Sequence, residues 1–564
     1  MSSSLNRVGM ALLISSVAPS GMVQAQTAGN PLDQLPTPRV APTPAPGSTA
    51  PRVEGQAPAG PAGRLAQSVL PTRFDIEGVS AVPFADIARV FSPSVRQGIT
   101  VARLVELSQE ATAIYKNNGY PLAFVYVPDQ DFKDGVVRVV AVEGFIADIR
   151  IDGDAGGGEP MLRAMASRLL AEKPLTLATF ERVSQLMARL PGLNAQASAS
   201  LPTRTDGATT LVLKVKRQPY NLSLGADLRQ PTPRAVLTGV WNDPIASGSQ
   251  LTASTLLGNP SRERLVSLGY TQFVGTDGLM FKASHSNYRG YPDEDMDRGS
   301  RIERLNTNRR TELSAGYPLF LDARTSVMLN GGFYAVDNVD AYTVPLSGVR
   351  LAEDTRMRAV FAQLAYTDGT PQRSRNASVM LAQGIDGLGA SATTRSNLPG
   401  LATTNPAKIA FTRLAIDAGQ RDRFDNQWGT GVSFGAQYSP HTLAASERVS
   451  FGGGRFGRGY AAGDAAGDSG WGIGLEVNRQ FKLGGTWLKQ VEPYLLFEAA
   501  KLSTHTGEPS PRDLRSVALG VRLSDARYYS VDLAVAKPTG DAALSNPARK
   551  PRISVLLSYQ LDAP

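Results

Sequence analysis

Between Thr72 and Arg217 the chain switches twice between a helical and an extended pattern of apolar positions. Val101, Leu104, Val105, Ser108, Ala111 and Tyr115 fall on one helical stripe, opened by Thr100 and closed by Asn118-Gly119. Leu177, Phe180, Ser184, Met187 and Leu190 form a second stripe after Thr176, stopped by Pro191-Gly192. Alternating segments follow each helix, Leu122–Val127 with Val136–Val142 and Ala195–Leu201 with Thr209–Lys216. Phe74-Asp75-Ile76-Glu77-Gly78 recurs as Ile149-Arg150-Ile151-Asp152-Gly153, and Gly119 and Gly135 recur as Gly192 and Gly207. The three offsets, 75, 73 and 72 residues, predict two copies of one strand-helix-helix-strand-strand domain, at 72–145 and 146–217. A three-stranded sheet with two helices on one face leaves an edge on which an extended chain can add as a strand. Plain spacer domains fit the same pattern.

From Gln218 to Pro564 the helical period disappears. Leu222, Leu224, Ala226 and Leu228 face one way and Asn221, Ser223, Gly225 and Asp227 the other. The same alternation runs through Trp428–Tyr438, Trp471–Asn478 and Ile553–Leu561. A soluble sandwich also alternates, but here the second face is rich in Gly, Ser and charge, as a wet lumen requires. An open sheet edge cannot be satisfied in lipid, so such strands must close. Segments of this length predict a transmembrane antiparallel β-barrel of about 16 strands over 218–564. The polar inserts Asn287–Thr311, Asp337–Arg356 and Ser391–Lys408 read as outward loops.

The amino end has a different texture. Arg7, the apolar run Val8–Val17 and Val23-Gln24-Ala25 fit a secretory signal peptide over 1–25. Ten prolines between Gln26 and Pro71 leave no room for an ordinary helix, so 26–71 reads as an extended linker.

Composition narrows the chemistry. Without cysteine there are no disulfides, thiolate metal sites or cysteine nucleophiles, and His285, His441 and His505 have no metal-ligand spacing. A net charge of +8 spread over 564 residues, with no long basic run, is no nucleic-acid footprint. Neither a catalytic residue nor a metal or cofactor site is expected. Gly431-Val432-Ser433-Phe434-Gly435 matches a serine-hydrolase elbow, but Ser433 sits inside an alternating strand rather than on a strand-to-helix turn. Gly452–Gly457 contains G-x-G-x-x-G with no helix after it. Asp293, Asp295 and Asp297 begin like a calcium loop, yet Arg298 stands where its glycine is required, which favours a solvated loop.

The glycine-dense Phe451–Tyr460 is more informative. Arg458, flanked by Gly457 and Gly459, can reach a lumen carboxylate, and Glu498 and Glu476 are the candidates on the inner wall. Such a pair would pin the loop inside the pore.

Signal segment, tandem domains, barrel and the motif Gly457-Arg458-Gly459-Tyr460 together resemble the TpsB proteins of two-partner secretion. These are the hemolysin activation/secretion translocators of the POTRA-barrel superfamily. The resemblance implies two periplasmic POTRA domains, with residues 26–217 in the periplasm and the barrel in the bacterial outer membrane. It implies type Vb export of a large TpsA-like exoprotein bound at the POTRA domains, with outer-membrane lipid around a monomer inserted by the barrel assembly machinery. The family's strand motif Phe-x-Asp-x-Gly aligns with Leu496-Phe497-Glu498-Ala499-Ala500, where Glu replaces Asp and Ala replaces Gly. An outer-membrane insertase or assembly factor and a passive porin are the alternative readings.

Overall fold

A computed structural model describes residues 35, 50–55, 64–132, 134–228, 233–292, 302–399, 404–507, 511–543 and 545–561. The signal segment, most of the linker and the Asp293–Asp297 motif lie outside the described residues.

The amino-terminal strands are β1 (Arg52–Glu54), β2 (Ser68–Val69), β3 (Arg73–Glu77), β4 (Ile99–Thr100), β5 (Phe124–Tyr126) and β6 (Val136–Val142). After them come β7 (Phe145–Gly153), β8 (Leu193–Ser200) and β9 (Ala208–Arg217). The helices are α1 (Phe84–Phe91), α2 (Val101–Asn117), α3 (Glu159–Ala166) and α4 (Leu177–Ala188). The internal repeat is structural. In the first domain the sheet order is β3-β6-β5, and in the second β7, β9 and β8 take the same places with the same parallel and antiparallel pairings. Thr100 and Thr176 cap α2 and α4, accepting from the amides of Arg103 and Thr179 at 3.3 Å each. Gly78 and Gly153 have φ of +79° and +111°, and a Cβ on either would lie 2.2 or 2.1 Å from the carbonyl oxygen of Ala141 or Val215. Each glycine lets the first strand's end touch the last strand of its own copy. Ile87, Phe91, Leu104 and Tyr115 centre one core, and Leu162, Met165, Phe180 and Leu211 the other.

One strand departs from the sequence reading. Arg52–Glu54 of the proline-rich linker lies parallel to β8, so the second domain's sheet has four strands in the order β1-β8-β9-β7. The edge expected to stand open there is partly occupied by the protein's own chain.

Beyond the domains the chain closes into a barrel of 16 antiparallel strands. The first, β10 (Tyr220–Asp227), meets the last, Arg552–Gln560, over five residue pairs from Ser223↔Gln560 to Asp227↔Leu556. Val432, Leu475, Phe497, Leu519, Val535 and Ile553 point outward and are exposed, while Asn221, Ser223, Asp227 and Ser516 point inward and are buried. The insert Asp337–Arg356 is not a loop. Glu303–Leu321, Thr325–Val344 and Val349–Gly369 are strands of 19, 20 and 21 residues, the last two joined at the outer end by 345–348. At about 3.4 Å per residue and a 45° tilt they rise about 45 Å, well past an apolar band of about 25 Å. Buried polar pairing extends them: Arg304 Nη2 lies 2.7 Å from Asp340 Oδ1, and Asn306 donates to Asn338 at 2.9 Å. Within Ser391–Lys408, Ser391–Ser396 is also a strand, paired with Leu351–Arg356.

The second domain sits against the short turns at the opposite end. Arg182 donates to the Pro318 carbonyl at 3.2 Å, Arg189 to Ser326 Oγ at 2.7 Å, and Arg168 pairs with Asp277. This contact fixes which end of the barrel faces the periplasm.

Candidate functional site: a loop seated inside the barrel

The connection between strands Trp428–Tyr438 and Ser469–Arg479 folds into the lumen. Its hairpin, Val449–Phe451 with Ala465–Gly467, buries Phe451, Phe456 and Tyr460 against Ala500, Leu502 and Leu514 of the wall. Small residues allow the approach. A Cβ on Gly472 would meet the Phe456 ring at 2.5 Å, and one on Gly459 would meet the backbone nitrogen of Pro538 at 2.6 Å. The Tyr460 hydroxyl donates to the Asp541 carbonyl at 2.9 Å.

Arg458 and Glu498 both act at this seat, but not as a pair of side chains. Glu498 Oε2 accepts the backbone N–H groups of Gly457 and Arg458 at 3.0 and 2.6 Å, and the Ser516 hydroxyl at 2.9 Å. The Arg458 guanidinium turns to the neighbouring wall, where Nη1 lies 3.2 Å from Asp532 Oδ2 and also donates to the Tyr494 hydroxyl. Tyr494 in turn donates to Asp532 Oδ1 at 2.6 Å. The Arg458 and Asp532 side chains are 13% and 18% exposed, so the pair is largely desolvated.

The Glu476 expectation is corrected more fully. Glu476 is held by Arg522, at 2.5 Å from Nη2 and 2.7 Å from Nη1. Arg522 also reaches Glu492 at 2.8 Å, and Glu492 receives Arg423 at 2.8 Å. Three cations and three carboxylates thus form a balanced patch over strands 412–423, 469–479, 490–503, 513–524 and 529–538. Arg522 lies over the Tyr494 ring, 4.2 Å from its centroid, which joins the two halves of the patch. The inward-facing Glu476 was legible, but a lumen arginine two strands away is closer to it than the loop is.

Sequence reading missed Asp532, Tyr494 and Arg522. The available signal was alternation: in Tyr529–Pro538, Gln490–Ser503 and Asp513–Ser524 these residues stand at inward positions between apolar outward ones.

The other motifs stay outside this chemistry. Ser433 lies mid-strand, opposite Gly419 and Gly474, with no helix following. Gly452–Gly457 is the tip of the seated hairpin. His441 and His505 serve the loop's fold: His441 Nδ1 accepts the Thr412 amide at 3.2 Å, and the His505 ring is 3.0 Å from the Ser439 carbonyl.

A cavity of about 570 Å³ remains between the loop and the walls at Gly225–Asp227, Arg522–Ser524, Ser530–Asp532 and Leu556–Ser558. Leu35 of the linker lines it. A linker residue thus lies inside the barrel.

Comparison with known proteins accords with this architecture. Residues 69–144 match the POTRA domain, ShlB-type, and residues 241–523, just over half of the chain, match haemolysin secretion/activation protein ShlB/FhaC/HecB. The chain is 20% identical over 467 residues to the heme/hemopexin transporter protein HuxB of Haemophilus influenzae, covering 80% of each. It is 22% identical over 468 residues to the outer membrane transporter CdiB of Escherichia coli, covering 77% of this chain and 76% of the relative. The structure of CdiB from Escherichia coli shares the fold with a TM-score of 0.66 at 18% identity, over 91% of this chain and 94% of that one. CdiB from Acinetobacter baumannii does so with a TM-score of 0.56 at 14% identity, over 91% and 95%. With the POTRA region, the closed barrel and the family match agreeing, the chain belongs to the ShlB/FhaC/HecB haemolysin secretion/activation family, the outer-membrane translocators of two-partner secretion.

Proposed function

We propose that this translocator captures its unfolded exoprotein at the two periplasmic domains and passes it outward through the lumen, with the seated loop as the internal gate. The observation that carries the reading is the loop's attachment. Besides the apolar packing of Phe451, Phe456 and Tyr460 and the Tyr460–Asp541 and Arg455–Asp417 contacts, it is held at Arg458 by two wall carboxylates, Asp532 on the side chain and Glu498 on the Gly457 and Arg458 amides. All of these can be broken without opening the barrel ladder. A structural plug could be held by apolar packing alone. Polar anchors in a wet lumen exchange with water at modest net cost once the loop lifts, because each group finds solvent. Capture at the domains would use main-chain pairing, which tolerates varied side chains and suits a long unfolded substrate.

We further read the protein as a monomer, inserted by the barrel assembly machinery, with no catalytic step of its own; any driving force comes from the substrate. Deleting residues 72–217 should abolish secretion while the barrel still inserts, measured by exoprotein in the medium and barrel in the outer-membrane fraction. Secretion by the deletion variant would overturn the reading.

A further inference from the structure

The outer wall of the barrel carries charge where hydrocarbon gives way to the outer headgroups. The strand Leu279–Gly290 starts at a periplasmic turn, and Arg289 stands near its outer end, on the outward row that begins at Leu279. At about 3.4 Å per residue and a 45° tilt, Arg289 lies about 24 Å above that turn, the upper edge of an apolar band of about 25 Å. Arg264, on Glu263–Val274, is its register partner, and Arg309, on Glu303–Leu321, lies one outward position below it, opposite Asn287. All three side chains are exposed. Like charges set directly opposite each other in a ladder repel. Among the described residues no carboxylate pairs with any of the three: Asp337, opposite Arg309, is engaged by Arg358 at 2.8 Å.

Beneath the arginines the wall is apolar and dented. Val266, Leu268 and Leu313 are exposed on the same face. Small residues meet there across three strands, with Ala315 the register partner of both Phe281 and Gly331, and Ala283 that of Leu313. Together with Tyr270 they line an outward depression of about 430 Å³. Ala283 lies about 14 Å below Arg289, close to the depth of one leaflet of a hydrocarbon core about 30 Å thick. Between the two levels His285 and Thr311, also in register, bond each other at 2.9 Å.

Cations above, a polar step, then an apolar seat is the order of groups along a phosphorylated lipid. A zwitterionic phospholipid brings its own ammonium and leaves the guanidinium groups unneutralised, and free phosphate makes no use of the depression. A lipid with two phosphates and several chains satisfies both levels. We propose that Arg264, Arg289 and Arg309, with the depression below them, form a binding site for lipopolysaccharide of the outer leaflet, recognised through its bisphosphorylated, multiply acylated lipid A. The guanidinium groups take the phosphates as charge-assisted, bidentate donors, and an acyl chain fills the space beside Ala283, Ala315 and Gly331. Occupation turns a repulsive row into a neutral one, so the bound lipid stabilises this side of the barrel.

The test uses the full mature chain, purified in detergent and stripped of lipid, with diphosphoryl lipid A as the probe and binding followed by native mass spectrometry. The triple variant Arg264→Gln, Arg289→Gln, Arg309→Gln should bind about tenfold more weakly than wild type, or worse. Ala283→Trp, which fills the depression and keeps every arginine, should also weaken binding. Monophosphoryl lipid A should bind less tightly than the diphosphoryl form, and neither phosphatidylglycerol nor inorganic phosphate should displace it. Without lipid A, Arg289→Gln should melt above wild type because a like-charge neighbour is gone. With saturating lipid A it should melt below wild type, a reversal that a purely structural arginine does not give. Equal affinities in wild type and the triple variant, an unchanged affinity in Ala283→Trp, equal affinities for the two lipid A forms, no reversal in melting, or displacement by phosphatidylglycerol or phosphate would overturn the proposal. None of these measurements uses secretion, so their failure leaves the translocator reading standing.

Discussion

The Arg458 guanidinium lies 3.2 Å from Asp532, on the third wall strand from the loop's own exit strand, while Glu498 binds the loop's backbone rather than its charge. At Arg458 the loop therefore has two carboxylate anchors of different chemistry. A side-chain ion pair fixes its direction, and a carboxylate collecting amides fixes its depth.

Arg458→Ala and Asp532→Asn should each unseat the loop, because the first leaves Asp532 with only the Arg522 Nε at 3.9 Å as counter-charge and the second leaves the Arg458 guanidinium without its nearest carboxylate, at up to about 3 kcal/mol. Both should raise open-channel conductance in planar bilayers and reduce secretion, with little change in barrel melting. The double variant should add little to either single one, as expected for coupled residues. Equal loss of barrel stability and secretion in Arg458→Ala would make the arginine only structural.

Gly459→Ala should reproduce the unseated phenotype without touching any charge. Its Cβ would meet backbone atoms of Lys537 and Pro538 at 2.9 and 2.6 Å, which cannot rotate away. Gly454→Ala, on the same loop with open space around it, should behave as wild type. A conductance change in Gly454→Ala equal to that in Gly459→Ala would count against steric seating.

Glu143 gives the first periplasmic domain an acid-sensitive point. Burial pushes its carboxyl upward, but the Ala81 and Ser80 amides and the Ser80 and Tyr115 hydroxyls outweigh this and hold it below its ordinary value. A depressed folded value means stability is present above the unfolded carboxylate value, near 4.5, and is lost as pH falls through the folded one. Hydrogen exchange at Ser80 and Ala81 should therefore show opening that grows below about pH 4.5, a dependence absent in Glu143→Gln. Identical pH profiles for the two proteins would contradict this.

Gly78→Ala and Gly153→Ala test the duplication. Both positions combine positive φ with a carbonyl about 2 Å from the new Cβ, so each should destabilise its own domain by more than the about 1 kcal/mol of an ordinary glycine change. Protease sensitivity should appear in the domain that carries the change and not in the other.

Much of this was legible because it follows from local rules. Thr100, Thr176 and the repeated glycines mark turns that any chain must make, and alternation separates the outward Val432 and Leu475 from the inward Ser223 and Asp227. What escaped depends on partners distant in sequence. The pairing of 52–54 with 198–200 has no local signal, since Arg-Val-Glu between prolines reads as linker. The choice of Asp532 over Glu498 for Arg458 depends on where the loop lies across four wall strands, which spacing along the chain does not record. The long outer hairpins were read as loops because the polar residues of Asp337–Arg356, which pair with one another in the structure, look like solvated residues in a sequence.

The most direct test of a gate that must leave the lumen is to lock it. A Cβ on Gly472 would lie 2.8 Å from Phe456 Cβ, close enough for a disulfide after a shift of about 1 Å in the loop. In Phe456→Cys with Gly472→Cys, secretion of the exoprotein should stop when the pair is oxidised and recover on reduction, while the same oxidant leaves secretion by the cysteine-free wild type unchanged. Full secretion through the oxidised, demonstrably cross-linked barrel would contradict the account.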